Sequence, residues 1–193
     1  MLNIKALTEL LSHNRDDRLC KTWYVMTING TLLAHSQPVR INDLRRQAAM
    51  AALSWQRYDN SAHAADQISD EFDRDSQAEE GMVGTPLRAL TIESETSNVI
   101  IRKIQPSVLL VLEGGIPPGR VRPTSRFTLE SEDGTERSVD ANGEDLERAD
   151  ASKVSSSVLQ RQRSKLDALS AVIVRDFEHS GFRMPDDPGL IIF

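Results

Sequence analysis

The sequence predicts an α/β sandwich, with one five-stranded antiparallel sheet covered by helices on both faces. Residues 108–112, Val-Leu-Leu-Val-Leu, form an unbroken apolar run between Pro106 and the Gly114-Gly115 pair. That run is too short for a typical buried helix and rich in branched side chains, as strands are. Because side chains alternate across a strand, a run that is apolar at every position needs cover on both faces. Asn29-Gly30 between two apolar stretches supplies a tight hairpin turn. Helix-period apolar stripes before, between and after the strands supply the cover.

In chain order, Leu2, Ala6, Leu7, Leu10 and Leu11 recur at helical spacing, and the polar residues 14–17 end that helix. Residues 22–28 and 31–36 are the strands of the hairpin, and both turn residues tolerate the positive φ angles such a turn demands. Asn29-Gly30-Thr31 also matches a glycosylation sequon, but no secretory signal precedes it, so it is read as a turn.

A second helix begins near Asn42 or Asp43, either of which can cap it. Leu44, Ala48, Ala51, Ala52, Trp55 and Tyr58 share one side of it. Small alanines allow close approach of another element, with the two aromatics as anchors, so this stripe packs either in the chain's own core or at a subunit interface. Residues 60–86 turn polar and acidic. An EF-hand frame starting at Asp73 fails, because Ala78 and Gly84 stand where glycine and glutamate are required. The segment is expected to be a solvated loop or a frayed extension of the helix.

Leu90 and Ile92 alternate with Thr91 and Glu93 in a third strand over 87–93, and residues 95–98 turn into a fourth over 99–104. With 108–112 these strands form a meander, and the earlier hairpin is expected on the other side of the central run. From residue 114 the composition shifts to Gly, Pro, Ser and mixed charge, so 114–153 reads as a flexible surface insertion. A final helix over 154–180 carries Val158, Leu159, Leu166, Leu169, Val172, Ile173 and Phe177 and stops at Gly181. The tail 181–193 ends in Leu190-Ile191-Ile192-Phe193, which docks on its own sheet or in a partner's groove. The expected division is a core over 1–113, the insertion 114–153, the last helix 154–180 and the tail 181–193.

Composition narrows the function classes. With 193 residues, 39% hydrophobic and 27% charged, the chain suits one domain with polar insertions. A net charge of -6 and no basic run longer than Arg45-Arg46 argue against nucleic acid as a partner. Cys20 is alone, which excludes a disulfide framework and a thiolate metal cage. No apolar run approaches the roughly 20 residues of a membrane span. Leu2 excludes N-myristoylation, and no prenylation cysteine ends the sequence, so attachment to a membrane is expected to be indirect.

No Gly-x-Ser-x-Gly elbow, His-Glu-x-x-His pair, Walker loop or dinucleotide fingerprint is present. His13, His35, His63 and His179 stand singly, and although His35 neighbours Ser36, a serine nucleophile also needs an oriented third group. The expectation is a non-catalytic protein without cofactor or metal.

The order helix, hairpin, helix, three-stranded meander, helix resembles the roadblock family. Met1-Leu2, Lys5-Ala6-Leu7-Thr8, Leu11-Ser12, Gly30, Leu32-Leu33-Ala34 and Ser36 look like the opening of roadblock subunits of Ragulator-type complexes. Ala48-Ala49, Ala51, Trp55 and Tyr58-Asp59 continue the likeness. The longer acidic stretch and the 114–151 insertion depart from the short animal proteins and resemble fungal members of the vacuolar EGO complex.

The resemblance implies a scaffold. Roadblock subunits pair through the second helix and the neighbouring edge strand, which here gives Leu44, Ala48, Ala51, Ala52, Trp55, Tyr58, Leu90 and Ile92 as the expected partner interface. An edge strand offers unpaired backbone groups, which suits that reading. The implied partners are a second roadblock subunit, a lipidated anchor subunit and Rag-family GTPases on the cytosolic face of the lysosome, late endosome or vacuole, in amino-acid signalling to the TOR kinase. Two alternatives remain: a homodimeric roadblock regulator of a small GTPase, and a sensory domain holding a small ligand between sheet and helix.

Overall fold

The computed structural model describes residues 2–67, 86–116, 125–140 and 157–184. The elements are α1 (Ile4–His13), β1 (Thr22–Thr27), β2 (Leu32–His35), α2 (Ile41–Gln67), β3 (Leu87–Glu93), β4 (Ser97–Gln105), β5 (Val108–Gly115), β6 (Arg126–Ser131), β7 (Glu136–Asp140) and α3 (Ser157–Ser180). They build a single seven-stranded sheet in the order β2-β1-β5-β4-β3-β6-β7, antiparallel throughout.

The central run behaves as its composition requires. Val108, Leu110 and Leu112 enter the core beneath α1 and α3, while Leu109 and Val111 enter the core beneath α2. All five are fully buried. In β1, Trp23 and Val25 join the first core and Tyr24 and Met26 the second. Two apolar layers, one on each face of the sheet, are therefore filled by alternate residues of the same strands.

Local signals explain the element ends. The Asn3 side chain accepts a hydrogen bond from the Ala6 amide at 3.1 Å and so caps α1. Gly30 adopts φ 82° at the β1–β2 turn. A Cβ there would stand 3.3 Å from the Ala52 Cβ, so the hairpin tip and the alanine stripe of α2 are matched in size. At the end of α3, Gly181 has φ 65°, its amide bonds the Glu178 carbonyl, and the Phe182 amide bonds the Phe177 carbonyl. Phe177 and Phe182 rings pack 4.9 Å apart, completing a Schellman stop with its apolar contact.

Two features differ from the sequence expectation. The sheet has seven strands rather than five, because a hairpin lies within 114–153. In β6, Phe127 and Leu129 point into the α2-side core while Thr128 faces the other way, and Gly134 turns the chain with φ 84°. The surrounding Gly, Pro and Ser residues masked this short alternation. The second difference follows from the first. Strand β3 is hydrogen-bonded by β4 on one side and β6 on the other, so it is an interior strand and the outer strands are β2 and β7.

Helix α2 continues to Gln67, into the stretch expected as polar loop, and its extension includes Ala62, Ala64 and Ala65, which favour helix. The calcium-loop frame at Asp73 and the apolar end of the tail lie outside the described residues. The first tail residues dock in cis: Gln105 Nε2 donates to the Phe182 carbonyl at 2.9 Å and its Oε1 accepts from the Met184 amide at 3.0 Å.

Candidate partner-binding face

Helix α2 lies on the sheet with a fixed rotation. Its apolar stripe sinks into the sheet, and two glutamines tie its flanks: Gln47 Nε2 donates to Glu113 Oε2 at 2.8 Å and Gln56 Nε2 donates to the Ile28 carbonyl at 3.0 Å. The eight residues expected at an interface are brought together, but inside the chain. Leu44, Ala48, Ala51, Ala52, Trp55 and Tyr58 are all under 9% exposed, Leu90 is fully buried and Ile92 is half-buried. They form one core cluster with Tyr24, Met26, Ile101 and Leu109.

The opposite side of α2 is the one that meets solvent. Met50 and Leu53 are 61% and 62% exposed, which is unusual for large apolar side chains. Arg46 lies one turn before Met50 and Arg57 one turn after Leu53, and both are exposed. The spacing 46, 50, 53, 57 places all four on one helical stripe. Ala49 broadens the stripe without raising it. Among the described residues Arg46 makes no ion pair, and the Arg57 guanidinium sits 5.6 Å from the centre of the Tyr58 ring. This Arg-Met-Leu-Arg pattern is present in the sequence. It was overshadowed by the alanine stripe on the reverse side.

Elsewhere the described residues show polar groups occupied with one another. A crevice of about 260 Å³ between α3 and strands β3, β4, β6 and β7 is lined by Thr91, Arg102, Glu136, Arg163 and Asp167. Arg163 pairs with Glu136 at 2.7 Å and donates to Thr91 Oγ1 at 3.3 Å, and Arg102 pairs with Asp167. His35 Nδ1 lies 3.2 Å from the Ser36 carbonyl, while the buried Ser36 hydroxyl accepts the Trp23 amide at 3.0 Å. The hydroxyl is thus engaged by backbone, and the imidazole does not address it. Burial pushes the Cys20 thiol up to about 11, which keeps it protonated at neutral pH. The Asp16 carboxylate is held below its usual range by the Arg18 and Leu19 amides, which close the turn before β1. Among the described residues no group of three or more His, Cys, Asp or Glu side chains is placed to hold a metal, and no helix is long and apolar enough to cross a membrane.

No protein-family model matches the chain, and a search of curated proteins finds no relative. Among solved structures it is similar to MglB of Myxococcus xanthus, with a TM-score of 0.53 at 12% identity over 96% of this chain and 97% of that one. Also similar are a gliding protein MglB from Thermus thermophilus, TM-score 0.48 at 12% identity over 91% of each chain, and an MglB in a tetrameric arrangement, TM-score 0.39 at 14% identity over 60% of this chain and 76% of that one. The Myxococcus likeness shows a shared fold: mixed α/β with a single antiparallel sheet, of the roadblock type.

Proposed function

We propose that this chain is a non-catalytic roadblock-type subunit that pairs through the outward stripe of α2 and, in the resulting assembly, binds a small GTPase. The exposed Met50 and Leu53 carry the reading, because two large apolar side chains held on a rigid helix cost free energy in water that a partner surface recovers. The fold shared with MglB supports the class of small-GTPase regulators. The residue likeness over 1–59 supports the more specific form, an adaptor in a Ragulator- or EGO-type complex that recruits Rag-family GTPases to a lysosomal or vacuolar membrane through a lipidated partner.

The two forms separate in one experiment. Tagged full-length protein is purified from its own cells, its companions are identified by mass spectrometry, and GTP turnover of any recovered GTPase is measured with and without the chain. A second roadblock subunit with a lipidated anchor and Rag-type GTPases supports the adaptor. A single GTPase whose turnover rises with this chain alone supports the regulator. Recovery of neither a GTPase nor a second subunit contradicts the proposal.

A further inference from the structure

We propose that the crevice between α3 and strands β3, β4, β6 and β7 binds a small phosphate-bearing anion, either inorganic phosphate or a small phosphate monoester. It lies on the opposite face of the sheet from α2, so it goes beyond the pairing reading and does not depend on it.

The hollow has a local cause. Arg102, Ala89, Glu130 and Glu136 fall in register across β4, β3, β6 and β7. Ala89 is the short side chain of that row, and α3 supplies Arg163 and Asp167 to the same crevice. Its volume of about 260 Å³ is below the roughly 300–1,000 Å³ of drug-sized sites, which suits a small anion rather than a nucleotide.

Unspent donors carry the inference. Each guanidinium has five N–H donors. Arg102 spends one of them, on Asp167, and Arg163 spends two, on Glu136 and on Thr91 Oγ1. Thr91 accepts that bond, which leaves its own hydroxyl proton to donate, and the residue is only 2% exposed. Three elements thus bring donors without acceptors of their own to one crevice, the arrangement an oxyanion satisfies.

The ion pairs are arranged to give way. In each the cation is the inner partner: the Arg102 side chain is 13% exposed against 55% for Asp167, and Arg163 27% against 52% for Glu136. Half-exposed carboxylates are screened by water and leave such pairs at little cost. Glu130 also lines the crevice and stands 3.7 Å from Arg88. With Glu136 and Asp167 turned to solvent, the local balance is Arg88, Arg102 and Arg163 against Glu130. That excess of positive charge matches a phosphate dianion better than a single carboxylate, and the planar fork of arginine suits phosphate oxygens.

The test is calorimetric titration of the full chain, at fixed ionic strength, with inorganic phosphate, glycerol phosphate and acetate. One saturable site for inorganic phosphate is expected, with acetate at least about tenfold weaker. Binding of glycerol phosphate as well extends the site to monoesters, and its failure to bind assigns the site to the free anion. R163Q should weaken phosphate at least about tenfold. E136Q should tighten it, because the competing carboxylate is gone while both arginines stay. This change on the outer strand tests the site even if R163Q does not fold. No saturation by about 10 mM phosphate overturns the proposal. So does acetate binding as tightly as phosphate. Phosphate affinity unchanged in E136Q, or unchanged in folded R163Q, places the anion elsewhere and overturns it too.

Discussion

Asn98 and Gln162, 64 positions apart, meet inside the protein: Asn98 Nδ2 donates to Gln162 Oε1 at 2.8 Å, and both residues are fully buried. The same Gln162 amide donates from Nε2 to the carbonyls of Leu19 and Gly115, each at 2.8 Å. One side chain thus fastens α3 to the start of β4, the end of β5 and the turn before β1. Gly114 makes room for it, since a Cβ there would lie 2.1 Å from Gln162 Nε2 and 2.7 Å from the Leu19 carbonyl oxygen.

Replacing Gln162 with Leu keeps the volume but strips a donor from the buried Gly115 carbonyl and the part-buried Leu19 carbonyl, and an acceptor from Asn98. A loss of about 2–4 kcal/mol in denaturant unfolding is expected. A loss below about 0.5 kcal/mol would show that these groups find other partners.

The two sides of α2 should respond oppositely. Trp55→Ala empties a core position that is 1% exposed and is expected to cost about 3–5 kcal/mol. Leu53→Ala, two residues away but 62% exposed, should change stability by no more than about 0.5 kcal/mol. Arginine at Ala51 or Ala52 would have to enter the core, so those variants test folding before they test pairing.

Amide hydrogen exchange reports whether β3 is an interior strand. With β4 and β6 on its two sides, amides from Ala89 to Glu93 should be protected without alternation. Fast exchange at every second residue of β3 would mean that the β6–β7 hairpin leaves its place in solution.

Cys20 makes a pH prediction. Its thiol titrates near 9.0 when unperturbed and is raised to about 11 in the fold, chiefly by burial, with Lys165 lowering it and Asp16 raising it. The folded state keeps the proton longer than the unfolded chain, so its contribution to stability is complete below pH 9.0 and is lost as pH rises towards 11. Cys20→Ser should flatten that part of the stability profile. Thiol reagents at pH 8 should label Cys20 only on the timescale of unfolding, and immediate labelling would contradict its burial.

Much of this architecture was legible from residues alone, where a signal is local and dense. Five apolar residues at 108–112 require a strand covered on both faces, and Asn29-Gly30 requires a turn. The β6–β7 hairpin escaped because its alternation spans only Phe127, Thr128 and Leu129, too few residues to stand out from the Gly, Pro and Ser around them. The α2 stripes show a different limit. Periodicity placed Leu44, Ala48, Trp55 and Tyr58 on one side but could not say whether that side met the chain's own sheet or another subunit. Once the sheet is seen to take it, the side left outward is the one holding Arg46, Met50, Leu53 and Arg57, where only two large apolar residues stand between arginines and give periodicity little to register.

The central claim is that this outward stripe joins the chain to its assembly. The most direct measurement is affinity purification of full-length protein and its Leu53→Arg variant from native cells, with companions quantified by mass spectrometry and thermal unfolding run in parallel. Loss of a second subunit and a small GTPase from the variant, at unchanged thermal stability, is the predicted result. Recovery of the same companions in the same amounts by both proteins would contradict it.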